Sequence, residues 1–234
     1  MHKHLLSLLL VLALTLPTQA QRDSLQLVPI STSAGLMASG VALHYVPTLN
    51  TWNTSLQDAM QQWRQEGPLQ GQPTHIDNYL QYAPVVSLFA LKICGVPSRD
   101  DYLPLAALTA EAYLCMALLT NAGKYGFGIL RPDGSAHNSF PSGHTATAFC
   151  GAELMRIEYQ KVSPWIGVGA YSLATLTGLM RIYNNRHWTA DVLAGAGVGI
   201  LSAQIANYIN GLIFRPKRDT PSSYSPLSIN HTLQ

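Results

Sequence analysis

"NSFPSGHTATAF", Asn138 to Phe149, sets a proline, a serine, a glycine and a histidine together just where an apolar run begins, in a chain otherwise poor in charge. Each of the four has a local reason. Pro141 stops the preceding chain, Ser142 carries a side chain that caps helices, Gly143 lets other groups come close to the backbone, and His144 rides on the first turn that follows. A helix that starts here turns its free N–H groups and the positive end of its dipole toward whatever lies in front of Ser142. The stretch therefore reads as a helix start suited to holding an anion.

The same helical texture extends in both directions. Apolar runs recur at 80–96, 102–122, 145–155, 165–180 and 192–214, with breaks at Gly95-Val96-Pro97, Arg131-Pro132, Ser163-Pro164 and Arg215-Pro216. No stretch sustains the period-two alternation of a half-buried strand, so the fold class is all-α, a helical bundle. Several runs are shorter than the roughly 20 residues that cross a bilayer and carry a charge, as at Lys92 and Glu111; about five membrane-spanning helices is the expectation. If the five cross in turn, Lys92, Arg99, Arg156, Lys161, Arg215, Lys217 and Arg218 share one side. The positive-inside tendency makes that side cytoplasmic and puts His144 and His187 on the other.

Composition agrees. Charged residues make up 11% of the 234 positions, against roughly 25% in soluble domains, and hydrophobic residues 47%. The net charge of +2, without a basic stripe, excludes nucleic acid as a partner. Residues 1–20 have the layout of a secretory signal, with an apolar stretch from Leu5 to Leu16 and small residues before Gln21; an uncleaved first membrane helix is the other reading. One helical domain then spans 21–214, and the Pro- and Ser-rich residues 215–234 read as a disordered tail. Cys94, Cys115 and Cys150 lie far apart in apolar surroundings and suggest neither disulfide nor metal. Between Pro47 and Pro73, Trp52, Leu56, Met60 and Trp63 recur at helical spacing, as in an interfacial helix or an ordinary packed one. Gly195 and Gly199 mark a helix face that neighbours can approach closely.

Three polar stretches stand at ends of the apolar runs: Lys124 with Arg131-Pro132 after six residues, Pro141-Ser142-Gly143-His144, and Arg181, His187 and Asp191 at fixed offsets. Each alone has a plain reading, as snorkelling cations, a helix cap, and an ion pair one turn apart. Together they fit a phosphate site. Lys124, Arg131 and Arg181 balance a phosphoryl dianion, and the N–H groups at Ser142 and Gly143 face it. Asp191, four residues on, holds one ring nitrogen of His187 and frees the other to attack phosphorus. His144 protonates the departing oxygen and later takes a proton from the water that cleaves the phosphohistidine. The chain offers no complete metal set, so no cofactor is expected and magnesium should be dispensable.

These residues resemble the type 2 phosphatidic acid phosphatase (PAP2) superfamily, with its K-x6-R-P, P-S-G-H and S-R-x5-H-x3-D signatures, which also takes in bacterial class A acid phosphatases and vanadium haloperoxidases. The resemblance runs from Lys124 to Asp191 and implies an all-helical core, a phosphohistidine intermediate and the residue roles given above. Met180 stands where that family often has serine, and the link from Pro132 to Pro141 is short. The expected activity is phosphate release from a lipid A, isoprenoid diphosphate or phosphatidate type of lipid at the outer, periplasmic face of a bacterial inner membrane. The expected partners are that lipid and the membrane, with no obligate protein partner. A soluble secreted acid phosphatase of broad specificity is the alternative; a vanadate-dependent peroxidase and a non-catalytic membrane scaffold are further readings.

Overall fold

The computed structural model describes residues 27–214; the signal and tail expectations, 1–20 and 215–234, lie outside them. Among the described residues eight helices follow one another: α1 Leu27–Tyr45, α2 Pro47–Glu66, α3 Asp77–Leu80, α4 Ala83–Ile93, α5 Tyr102–Phe127, α6 Gly143–Tyr159, α7 Pro164–Tyr183 and α8 Thr189–Phe214. The described residues contain no strand, and the fold is all-α. Sequence punctuation sets the boundaries. Ser142 caps α6 by accepting from the Thr145 N–H, Ser163 caps α7 ahead of Pro164, and Gly128 closes α5 at φ 58° with its N–H on the Lys124 carbonyl. That left-handed turn suits glycine.

Helix α8 is the hub, packed against α1, α5 and α6, and α6 in turn packs on α7. Glycines make the crossings close. A Cβ on Gly195 would stand 2.5 Å from the Ser142 carbonyl oxygen, and one on Gly40 would stand 2.6 Å from that of Ala190. At Gly199 an added Cβ would collide with the Ala146 carbonyl and lie 2.8 Å from the Cys150 nitrogen. Backbone cannot swing aside as a side chain does, so Gly199→Ala should separate α6 from α8. The expected cost is about 1–3 kcal/mol, read as a lowered midpoint of thermal unfolding in detergent.

The sequence did not mark 27–45 as an apolar run, yet it folds as α1 and packs along α8. Of the five apolar runs, two lie in helices long and apolar enough to cross a membrane, α5 and α8. α4 has only 11 residues, and α6 carries Glu153, Arg156 and Glu158. Those charges are satisfied within the protein. Arg156 donates to both Glu153 oxygens at 2.7 Å, Tyr171 donates to Glu153 at 2.6 Å, and Arg99 meets Glu158 at 2.9 Å. Chain reversals between α5, α6, α7 and α8 place Arg99 and Arg156 at one end and Lys124, His144, Arg181 and His187 at the other.

Candidate active site

Three helix ends build the site. The end of α5 brings Lys124, the start of α6 brings Ser142, Gly143 and His144, and the end of α7 brings Arg181, with His187 in the following loop and Asp191 in the first turn of α8. The Ser142 N–H donates to the Asp191 carbonyl at 3.0 Å, so it ties the starts of α6 and α8 together instead of facing an anion as the sequence suggested. Asn138 joins the first stretch to the second: its carbonyl accepts from Lys124 Nζ at 2.6 Å and its Oδ1 from Arg131 Nε at 2.9 Å.

His187 is buried, with Nδ1 3.4 Å from Asp191 Oδ2 and 3.5 Å from Ser139 Oγ, which leaves Nε2 as its other face. Asp191 Oδ2 also accepts from the Trp188 N–H at 2.8 Å and from Ser139 Oγ, and Oδ1 from His44 Nε2 at 2.8 Å. Burial holds the His187 imidazole down at about 4, against the opposing pull of Asp191. It is therefore neutral at neutral pH, the form in which a ring nitrogen has a lone pair to give.

A cavity of about 200 Å³ is lined by His144, Arg131, Arg181 and Arg186 together with Asp77, Asn78 and Asn184. Arg181 Nη1 pairs with Asp77, and His144 Nε2 donates to Asn78 Oδ1 at 3.0 Å. Burial, then the nearby Arg181, lowers His144 to about 4, while Asp77 pulls the other way. Desolvation and then Arg181 also lower Arg131. Such crowding of like charge favours an anion between them. A larger groove lies between the end of α6, at Arg156, and α7 as far as Leu179, but its walls are mostly apolar and hold neither histidine.

Residues 101–214 match the family model described as the PAP2 superfamily. They belong to that superfamily. The chain is 38% identical to a curated lipid A 1-phosphatase of Porphyromonas gingivalis over 92% of its own length, and spans about half (52%) of that relative. A transmembrane PAP2 type phosphatidylglycerolphosphate phosphatase from Bacillus subtilis shares the fold, with a TM-score of 0.50 at 19% identity over 81% of this chain and 98% of that one. LpxE of Aquifex aeolicus aligns with a TM-score of 0.49 at 24% identity, over 66% of this chain and 94% of that one.

The PAP2 segment thus runs from the residue that precedes α5 to the end of α8 and contains all eight residues singled out in the sequence. The structure brings Arg131, His144 and Arg181 to one cavity, with His187 and Asp191 beside it; Lys124 joins through Asn138 and Ser142 through Asp191. Gly143 forms the first turn behind the cap. Sequence reading passed over His44, Asp77, Asn78, Ser139 and Arg186. Ser139 and Arg186 lie next to singled-out stretches and were within reach of them. His44, Asp77 and Asn78 precede the PAP2 segment, and no spacing ties them to it.

Proposed function

We propose that the protein is a lipid phosphatase that releases inorganic phosphate from a lipid A type phosphate at the outer face of the bacterial inner membrane. The observation that carries this reading is a cavity lined by His144, Arg131, Arg181 and Arg186 with a neutral, carboxylate-held His187 beside it. His187 Nε2 attacks phosphorus while the bond from phosphorus to the lipid oxygen breaks, and its electron pair leaves on that oxygen. His144 gives the oxygen its proton. Water then attacks the phosphohistidine, the nitrogen–phosphorus bond breaks, and His144 takes the water proton, leaving inorganic phosphate. Lys124, Arg131 and Arg181 offset the charge that builds on the phosphoryl oxygens.

The named activity of the 38% identical relative favours lipid A over the other lipid phosphates. A membrane setting draws support from α5, α8 and α2. The inner face of α2 is polar: Gln57 and Gln61 donate to the Ile182 carbonyl, and Asn53 accepts from the Ala190 N–H. Trp52, Leu56 and Trp63 point outward, at the catalytic end. Exposed tryptophans of this kind settle at the headgroup level of a bilayer.

Purified protein in detergent micelles, offered lipid A, an isoprenoid diphosphate, phosphatidate and p-nitrophenyl phosphate, should release phosphate fastest from lipid A. Equal turnover of the soluble ester, by a protein freed from cells by osmotic shock, would select the secreted acid phosphatase instead. Absence of release from every substrate would refute both.

A further inference from the structure

We infer that His44, on α1, is a positioning residue for the His187 nucleophile, acting through Asp191; the inference rests on the catalytic role proposed for His187. The two oxygens of Asp191 are held differently. Oδ2 faces Ser139, the Trp188 N–H and His187, all from the loops before α6 and α8, while Oδ1 is met by His44 Nε2 at 2.8 Å, from 147 positions upstream. A carboxylate held at one oxygen can still turn about its Cβ–Cγ bond. Held at both, it presents a fixed acceptor to His187 Nδ1 and so keeps the proton on Nδ1 and the lone pair on Nε2.

The fold goes to some length to place this imidazole. Gly40, one turn earlier on the same helix, allows α1 to touch the Ala190 carbonyl and Ala194. The Phe140 ring meets the His44 ring edge-on at 5.4 Å and is itself braced by Phe127 at 4.8 Å. The His44 side chain is 7% exposed and that of Asp191 fully buried, so water does not substitute readily for the bond. Because Asp191 accepts, His44 Nε2 carries the hydrogen and acts as donor. His44 does not face the cavity; Asp191 stands between it and His187.

Two variants separate positioning from packing. His44→Phe keeps a ring against Phe140 and removes the donor, whereas His44→Gln places an amide nitrogen near the position of Nε2. With lipid A in micelles, His44→Phe should lower kcat by about 10- to 100-fold, the usual scale for a group that orients a ligand or nucleophile. KM and inhibition by vanadate should stay as in the wild type, and His44→Gln should recover most of the rate. Nitrogen-15 spectra of the histidine rings should show His187 protonated on Nδ1 in the wild type and His44→Gln, and a mixture of tautomers in His44→Phe. Wild-type kcat in His44→Phe, equal losses in both variants, or an unchanged His187 tautomer would each overturn the assignment. If the wild type leaves lipid A intact, the substrate reading fails and the tautomer spectra still decide the role of His44.

Discussion

Replacing His187 with asparagine is expected to lower phosphate release by on the order of 10⁴-fold or more, the loss seen when a covalent nucleophile is removed. Asparagine suits the test because its amide nitrogen falls near the position of Nδ1. It can keep the contact with Asp191 Oδ2, which lies 3.4 Å from that atom, while nothing remains where Nε2 stood. The carboxylate, fully buried, is then not left facing an empty space, and an unpaired buried charge is what most often unfolds such a variant. The wild type quenched in alkali during turnover should carry a base-stable, acid-labile phosphoryl group, and His187→Asn should carry none. A variant that still forms the labelled intermediate would move the nucleophile elsewhere. One that is unlabelled yet turns over at the wild-type rate would replace the covalent route with direct attack by water.

The parts of this site that could be read in the sequence are those in which a local rule and a chemical need coincide. Ser142, Gly143 and His144 stand at a capped helix start, and His187 and Asp191 are four residues apart, so short spacing alone implies geometry. The helices α5 to α8 were legible for the same reason, since Arg131-Pro132, Ser142 and Ser163-Pro164 punctuate them, although the end of α5 at Gly128 was not marked. Helix α1 was not. Its contact face sets Met37 between the small residues Ser33 and Gly40, which lie close to Gly197, Ala190 and Ala194, and a single large apolar side chain does not make a helix visible as a repeating pattern. His44 then follows α1 out of sight. Asp77 and Asn78 sit at the start of a four-residue helix, and only the folded chain discloses that they meet Arg181 and His144. Hydropathy fell short in another way. It scores Glu153 as a charge in a spanning run, whereas its carboxylate is buried against Arg156 inside the bundle.

His144→Gln should reduce kcat by roughly 10²- to 10⁴-fold, the usual yield of a positioned acid–base group. Glutamine can retain the bond to Asn78 Oδ1, which His144 Nε2 makes at 3.0 Å, so the local structure persists and only proton transfer is lost. The loss should depend on the leaving group. Lipid alkoxide needs a proton as it departs and nitrophenolate hardly does, so with p-nitrophenyl phosphate the variant should still form the phosphohistidine and then stall, giving a burst of nitrophenol. The pH profile carries the same signature. His144 sits near 4, lowered by burial and by Arg181, so in the free protein few molecules hold the acid proton at neutral pH. A bound phosphoryl dianion acts in the opposite direction, since a nearby negative charge favours the imidazolium. The alkaline limb of kcat should therefore lie at higher pH than that of kcat/KM, because the first reports the bound complex and the second the free protein. In His144→Gln that alkaline limb should vanish from both profiles. If it stays in place, the proton comes from another group, and His144 serves only to hold the phosphate.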